Sequence, residues 1–524
     1  MKHPDPTAPH GDLAIIWTAM ETEKGDLIQR SENYARLTLP YICAPESSAS
    51  SEQDRGAVAI GPRVVNHLAN KVVDTMFPKD RPFFTVALTP ETRKKISEEV
   101  GTENEAAFAE LVRTETANVE QAGMRKMGLT TYRPVAVEAV KHMIITGNTC
   151  IRRFDSGSRT AYGIRDYSVR RTIEGAITEV MLRDGKKFGN LDAAMQKMVL
   201  ADQPALKEDS PVVLLTHYKL VGKRWRSAQA VNNIAVPGVR FYTPRNLPVL
   251  VLAWSLARGE NYGRGLVEDN INSFHNIDVC SVALVEMIGV MADIKFLVDP
   301  GSGLDVEELN NSPRGSYHAG RRDDITTPES ARRLEIGVLR EIIMGWEREL
   351  AQAFLLNSNS VRDAERITAE EIRFIANELE SAFGGLYSRL ATEWQQYEAE
   401  YVVYSMDFAK EVGGAVNDVF EILITTGLES LSRQGQLANV RAAIADLQML
   451  EAVPEEVRST INPMKFASFV FTNHAVKFVE FMFTQDEMKQ NSEQAMQQQQ
   501  QLAGIQADAN VRQKAGEAAV AEES

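Results

Sequence analysis

Ser281-Val-Ala-Leu-Val-Glu-Met-Ile-Gly-Val-Met291 closes a helical pattern that starts at Gly263, and a second pattern of similar length runs from Ser330 to Phe354. Between them, Val298 to Thr327 carries Pro300-Gly-Ser-Gly303 and Ser312-Pro-Arg-Gly315. These breakers predict a small compact or irregular insert and not a continuation of either helix. Two long helices bracketing such an insert make a hairpin that projects it away from the main body. The first pattern is apolar, yet Ser281 to Val298 contains Glu286, Asp293 and Lys295. Nowhere do about 18 apolar residues run without a charge, so no membrane span and no membrane partner are expected.

Working outward, Leu355 to Asp363 is polar and predicts a loop. Thr368-Ala-Glu-Glu371 has the spacing of a capping box: the Thr368 hydroxyl caps the helix start and Glu371 reaches back to its backbone N–H. That helix is predicted to run to about Tyr397. Phe408 to Phe483 reads as mostly helical, with Pro454 and Pro463 as breaks. From Asp486 the chain is polar, with five glutamines at Gln497 to Gln501, a low-complexity tail suited to a solvated helix or to disorder.

On the N-terminal side, helical spacing is predicted over Leu13 to Arg36 and Ala57 to Met76, over the charged segment Glu91 to Arg125, and over Tyr132 to Gly147. Between Thr160 and Val221 the period changes. Tyr167-Ser-Val and Ala176-Ile-Thr-Glu-Val flank Glu174-Gly175, which predicts a hairpin. Pro211 to Leu220 and Trp225 to Val236 read as further strands. The expected fold class is therefore mainly α, with one α+β region inside an otherwise helical chain.

Bulk properties narrow the function. At 524 residues the chain exceeds one ordinary core, which predicts several domains or one elongated, layered protomer. A formal net charge of −15 excludes a general basic DNA-binding surface, so any contact with DNA must be local or weak. Cys43, Cys150 and Cys280 are odd in number and far apart, which fits a reducing compartment and offers no disulfide framework. Met1 to Thr18 lacks the pattern of a secretory signal.

Catalytic constellations are missing. Val221-Gly-Lys-Arg-Trp225 lacks the upstream glycine and the hydroxyl of a phosphate loop. His67, His142 and His275 have no histidine one helical turn away, so no zinc-binding pair forms. Glu370-Glu371 and Glu378–Glu380 read as solvated helix faces, and Gly259 to Gly265 does not follow the dinucleotide fingerprint. No enzyme activity, cofactor or metal is expected.

Five segments, taken in order, resemble the portal (head-to-tail connector) family of short-tailed double-stranded DNA bacteriophages. They are Leu37-Thr-Leu-Pro-Tyr41; Val65-Asn-His-Leu-Ala69 with Phe77-Pro78 and Pro82-Phe83-Phe84; Arg165-Asp-Tyr167 with Arg170-Arg171; Trp254 with Gly259-Glu-Asn-Tyr-Gly-Arg264; and Asp363-Ala-Glu-Arg-Ile-Thr-Ala-Glu-Glu-Ile372 with Glu378-Leu-Glu380 and Gly384-Gly-Leu-Tyr387. The last is the most specific. The resemblance covers about Leu37 to Tyr397 and fades after Met406. Asn261 stands where the family pattern has an acid, and Ile367 where it has methionine or valine.

The resemblance implies a portal fold of wing, two-helix stem, clip and helical crown, assembled as a ring around a central channel. It divides the chain into an N-terminal α+β wing (1–262), a stem helix (263–291), a clip (292–329), a second stem helix (330–354), a tunnel loop (355–366), a wing helix (367–405), a crown (406–485) and the polar tail (486–524). It further implies a homo-oligomeric ring, typically of twelve subunits, at the unique capsid vertex of the virion, with the host cytoplasm as the place of assembly. Double-stranded viral DNA passes through it without sequence specificity. The terminase large subunit and then tail or adaptor proteins dock on it, and scaffolding and major capsid proteins surround it. Asn357, Asn359, Arg362 and Arg366 are the tunnel-loop candidates for contact with DNA, and Arg314, Arg321 and Arg322 the clip candidates for docking. The alternative is a scaffolding or adaptor protein without a channel, oligomerising through its C-terminal helices.

Overall fold

In the computed structural model the described residues are 13–45, 55–79, 82–89, 91–92, 105–292, 297–313, 316–317, 319–321, 324–326, 332–356, 369–383, 385–404, 420–425, 445–446, 466 and 470. The chain divides into two compact units, Met1–Leu428 and Glu429–Ser524. All the elements below belong to the first.

Helices α1 (Leu13–Glu23) and α2 (Gly25–Leu37) share one helical pattern broken at Lys24. Helix α3 (Ile60–Met76) buries Val64, Val65, Leu68, Val72, Val73 and Met76, the apolar positions at helical spacing. It stops at Phe77, ahead of Pro78. Strand β1 (Phe84–Leu88) follows, then α4 (Glu105–Gly128) and α5 (Tyr132–Thr146). Phe77 gathers Phe83, Tyr132 and Trp394 edge-on, with centroids 5.0–5.2 Å apart, into an aromatic core that joins these segments.

Two antiparallel sheets come next. The smaller has the order β3 (Arg159–Tyr162), β2 (Asn148–Arg153), β9 (Val249–Ala253). The larger runs β4 (Tyr167–Arg171), β5 (Ile177–Lys187), β6 (Pro211–Val221), β7 (Arg224–Val231), β8 (Ile234–Tyr242), with α6 (Ala193–Asp202) inserted after β5. Leu13, Trp17 and Met20 of α1 cover Met181, Leu215, Ala228 and Ala230 on one face of the larger sheet. The hairpin expected around Glu174-Gly175 forms, with Gly175 at φ +90°. The single strand read over Trp225 to Val236 is in fact two. Asn232 and Asn233 both adopt left-handed φ (46° and 71°), the geometry of a type I′ turn, and fold the run into the β7–β8 hairpin.

The long pattern from Gly263 resolves into α7 (Leu266–Asp269) and α8 (Ile271–Ala292), interrupted at Asn270. Strand β10 (Leu297–Val298), α9 (Val306–Asn311) and β11 (Ile325–Thr326) lie in the insert, and α10 (Arg332–Ala353) follows it. Then come α11 (Ala369–Ala382), α12 (Leu386–Leu390), a π-helical turn over Ala391–Gln395, and α13 (Gln396–Tyr404). The helix read as ending near Tyr397 therefore breaks at Gly385, in left-handed φ (84°), and resumes to Tyr404. Thr368 lies outside the described residues.

A second correction concerns the segment read as mostly helical from Phe408 to Phe483. Phe420–Ile424 is strand β12, laddered antiparallel onto β1 from Phe84↔Ile424 to Leu88↔Phe420. Phe-Glu-Ile-Leu-Ile alternates a charge with β-branched and aromatic residues, and a partner strand more than 300 residues away decides the conformation. Strands β1, β2 and β9 fall within the α+β region expected over 1–262 without having been read as strands individually, while β10 and β11 in the insert and β12 lie beyond it. A buried ion pair, Arg159 to Glu398 at 2.6 Å with both side chains at most 2% exposed, ties β3 to α13.

Candidate functional site: a helical hairpin and the junction at its base

Helices α8 and α10 pack antiparallel. Phe274, near the start of α8, meets Phe354, just past α10, edge-on at 5.8 Å. At the far end β10 and β11 close the ladder through Leu297↔Thr326 and Val298↔Ile325. The insert thus lies in sequence between two antiparallel helices. Inside it, Asp305 caps α9 through the backbone N–H groups of Glu307 and Glu308. Arg321 has an exposed side chain, and its backbone N–H donates to Asp324 Oδ2 at 2.5 Å. Arg314, Arg322, Asn357, Asn359, Arg362 and Arg366 lie outside the described residues.

Both helices of the arm carry exposed aliphatic side chains. Val279, Val282, Val285 and Ile288 of α8, with Val338, Ile342 and Met344 of α10, are 43–68% exposed. Val282 and Val285 of α8 and Val338 and Ile342 of α10 recur at helical spacing, and exposed aliphatic side chains clustered in this way mark an interaction surface.

The base of the arm is tied to the body by charge and backbone bonds. Asp278 is buried, accepts from Arg36 Nη2 (2.7 Å) and from the Ala57 N–H (2.6 Å). Arg30 reaches Glu268 at 2.9 Å. Helix α10 ends in a Schellman motif: the N–H of Leu356 reaches the carbonyl of Ala351 (2.7 Å) and the N–H of Leu355 that of Gln352 (3.0 Å), with Leu355 in left-handed φ (56°). The His67 imidazole bonds to the Leu355 backbone. Burial, then the nearby Lys71 ammonium, holds that ring below its ordinary pKa.

Around this base the structure gathers segments that the sequence only marked as turns. Gly147, at φ +79°, passes so close to Gly263 and Arg264 that a Cβ would sit 2.5 Å from their backbone. Asn148 both donates to and accepts from the Gly263 backbone at 2.7 Å. Asn261 Oδ1 and Tyr262 Oη accept from the N–H groups of Arg171 (2.8 Å) and Val169 (3.1 Å). Two side chains thereby satisfy the outer edge of β4. Arg389 Nη2 donates to the carbonyls of Ala253 and Trp254, and Trp254 stacks edge-on with Phe383 at 5.1 Å. A polar cleft of about 430 Å³ opens between Trp254, Ser255, Asp269, Phe383, Gly385 and Arg389. On the other side, Lys24 is buried and donates to the carbonyls of Ile164 (2.6 Å) and Tyr167 (2.7 Å). Burial lowers its pKa to about 7. Asn148, Lys24 and Asp278 were missed in the sequence, since the partners that tie them into the junction lie more than 100 residues away.

His142 is buried at the α5 C-terminal half, and burial brings its pKa down to about 4. Among the described residues no group of three or more His, Cys, Asp or Glu could hold a metal, and no helix is long and apolar enough to cross a membrane.

The arm and its small insert are rooted in an α+β body by interlocked backbone turns. Residues 10–476 match the family described as bacteriophage head to tail connecting protein, and the chain belongs to that family. It is therefore a structural connector component of a bacteriophage virion and not an enzyme. Among its relatives, the portal protein of Enterobacteria phage SP6 is 28% identical over 450 residues, 85% of each chain. The portal protein of Pseudomonas phage phiKMV is 28% identical, covering 94% of this chain and 96% of its own. That of Escherichia phage T7 is 25% identical, covering 82% and 80%.

Proposed function

We propose that the chain is the subunit of a closed portal ring, of twelve copies, at one capsid vertex, through which viral DNA enters during packaging and leaves during ejection. The observation that carries this reading is the arm: two antiparallel helices with exposed aliphatic side chains and an insert between them. In a cyclic ring each subunit presents one surface to one neighbour and a different surface to the other. The α8/α10 flank supplies such a surface, and its neighbours would cover it. The arm is then the stem and the insert the clip, where the terminase large subunit docks first and tail or adaptor proteins follow. Scaffolding and major capsid proteins surround the assembly, which forms in the host cytoplasm. Electron microscopy with native mass determination tests this. The expected result is closed rings with an axial channel near twelve times 58.2 kDa, about 700 kDa. A stable dimer or tetramer without a channel overturns it and favours the adaptor alternative.

Twelve copies at −15 carry a formal −180, so the channel would repel DNA and keep sliding easy. Arg362 and Arg366, beside the tunnel loop, would act as the local brake, with Asn357 and Asn359 as polar contacts. Arg314, Arg321 and Arg322 would face docking partners at the clip. Replacing Arg362 and Arg366 with alanine is expected to leave rings intact and to impair DNA retention, read as genome content of the particles. Full retention sinks the brake.

A further inference from the structure

From Pro211 to Gly259 the chain holds no aspartate or glutamate but seven lysines and arginines, in a protein whose net charge is −15. This acid-free run builds β6, β7 and β8, three adjacent strands. The register sets its cations side by side: Arg170↔Glu179↔Lys219↔Arg226↔Phe241 runs straight across five strands on one face. Val221↔Arg224 lies next to it, before the Gly222-Lys223 turn. Lys219 and Arg226 are directly opposed like charges, a pairing that costs stability unless something else compensates it. The one carboxylate in the row, Glu179, is shared by His217 at 2.7 Å, Arg170 at 3.2 Å and Lys219 at 3.4 Å, and Arg170 also pairs with Glu23. Helix α1 covers the same face at Met181, Leu215, Ala228 and Ala230 but stops short of the hairpin tip. There the Lys219 side chain is 57% exposed, and Lys223, Arg224, Val221 and Phe241 are exposed as well.

We propose that the β6–β7 hairpin tip, with Lys219, Lys223 and Arg224 at its centre, is a docking surface for the phosphate backbone of duplex DNA, separate from the channel. The chemistry favours a polyanion over a protein. Lysine is depleted from protein–protein interfaces, and the tip has two isolated apolar residues instead of an aromatic core. Exposed lysines and an arginine with no sequence-reading groups suit backbone contact without sequence preference. The net negative charge of the chain keeps such contact local, and contact through cations makes it sensitive to salt. The inference rests on the portal reading for the presence of DNA beside the protein.

The test is fluorescence anisotropy of a labelled duplex of arbitrary sequence against the full-length protein and its Lys219→Gln/Lys223→Gln/Arg224→Gln variant. Native mass and a thermal melt are measured on both. Three phosphate contacts predict that wild-type affinity falls about 40-fold between 50 and 200 mM salt. In the triple variant the log–log salt slope should drop by about three, and Lys223→Gln alone, in the turn and outside the ladder, should drop it by about one. No wild-type binding at the low-salt end overturns the proposal. So does a variant that keeps the wild-type slope, with binding then lying in the channel or elsewhere. A variant that loses native mass while keeping DNA affinity assigns the patch to the acidic surface of a second copy and also overturns it. Absence of wild-type rings is a failure of the portal reading and is seen independently of DNA.

Discussion

At the scale of single residues, the charges that matter here are buried ones with defined partners. Glu179 shows this best. Its carboxylate takes the His217 Nε2 at 2.7 Å and Arg170 Nη1 at 3.2 Å, with Lys219 Nζ at 3.4 Å. The His217 hydrogen bond, against the opposing effect of burial, pulls its pKa from 4.5 to about 2. A carboxylate depressed on folding binds fewer protons in the folded than in the unfolded chain between those two values. It therefore stabilises the fold above about pH 4.5, and that contribution drains away as pH falls toward 2. Glu179→Gln is expected to lower stability at pH 7 by up to about 3 kcal/mol, with the gap from wild type closing as the pH falls below 4.5. Thermal melts of both proteins across that range check it, and a gap that stays constant with pH contradicts it. Lys24 runs the other way: burial lowers its pKa, so the folded chain favours its neutral form and gains stability as pH rises from about 7.

At the scale of elements, legibility followed distance along the chain. Helices α3 and α5 were readable because Val64, Leu68 and Val72, or Val140 and Ile144, recur at helical spacing and face one core. The β4–β5 hairpin was readable because Glu174-Gly175 sits between two alternating runs, and the arm because two long helices flank a Gly- and Pro-rich insert. The failures are nonlocal. Strands β2 and β9 pair Ile151 with Leu250 across nearly a hundred residues, and β1 and β12 pair Phe84 with Ile424. Short apolar runs of five or six residues do not announce such partners. Asn232-Asn233 was a turn signal overlooked because alternation continues on both sides of it. The junction was legible only as punctuation. Tyr262-Gly263 reads as a turn before a helix, and nothing local says that Tyr262 and its neighbour Asn261 satisfy the edge of β4, 93 and 90 residues upstream. The acid-free stretch from Pro211 to Gly259 was visible in the sequence throughout, but charge counted over the whole chain hides it.

At the scale of the whole molecule, the net negative charge and the exposed aliphatic side chains of the arm set opposing demands. Like charge on every copy resists association, so a ring must gain its cohesion from apolar area buried between subunits and from local charge pairing. The flank of α8 is where that area is available: Val285 is 68% exposed and sits between Val282 and Ile288. Because it is exposed in the single chain, Val285→Glu should leave the fold untouched, with changes within about 0.5 kcal/mol. In a ring the same carboxylate would be buried against a neighbour's aliphatic surface once per interface. There it has no partner, and the cost of desolvating it recurs around the whole circle. Native mass of the variant should therefore shift from the ring to the monomer while its circular dichroism and thermal melt match wild type. Wild-type rings from Val285→Glu would place the subunit contact elsewhere and leave the apolar flank of the arm without its assigned role.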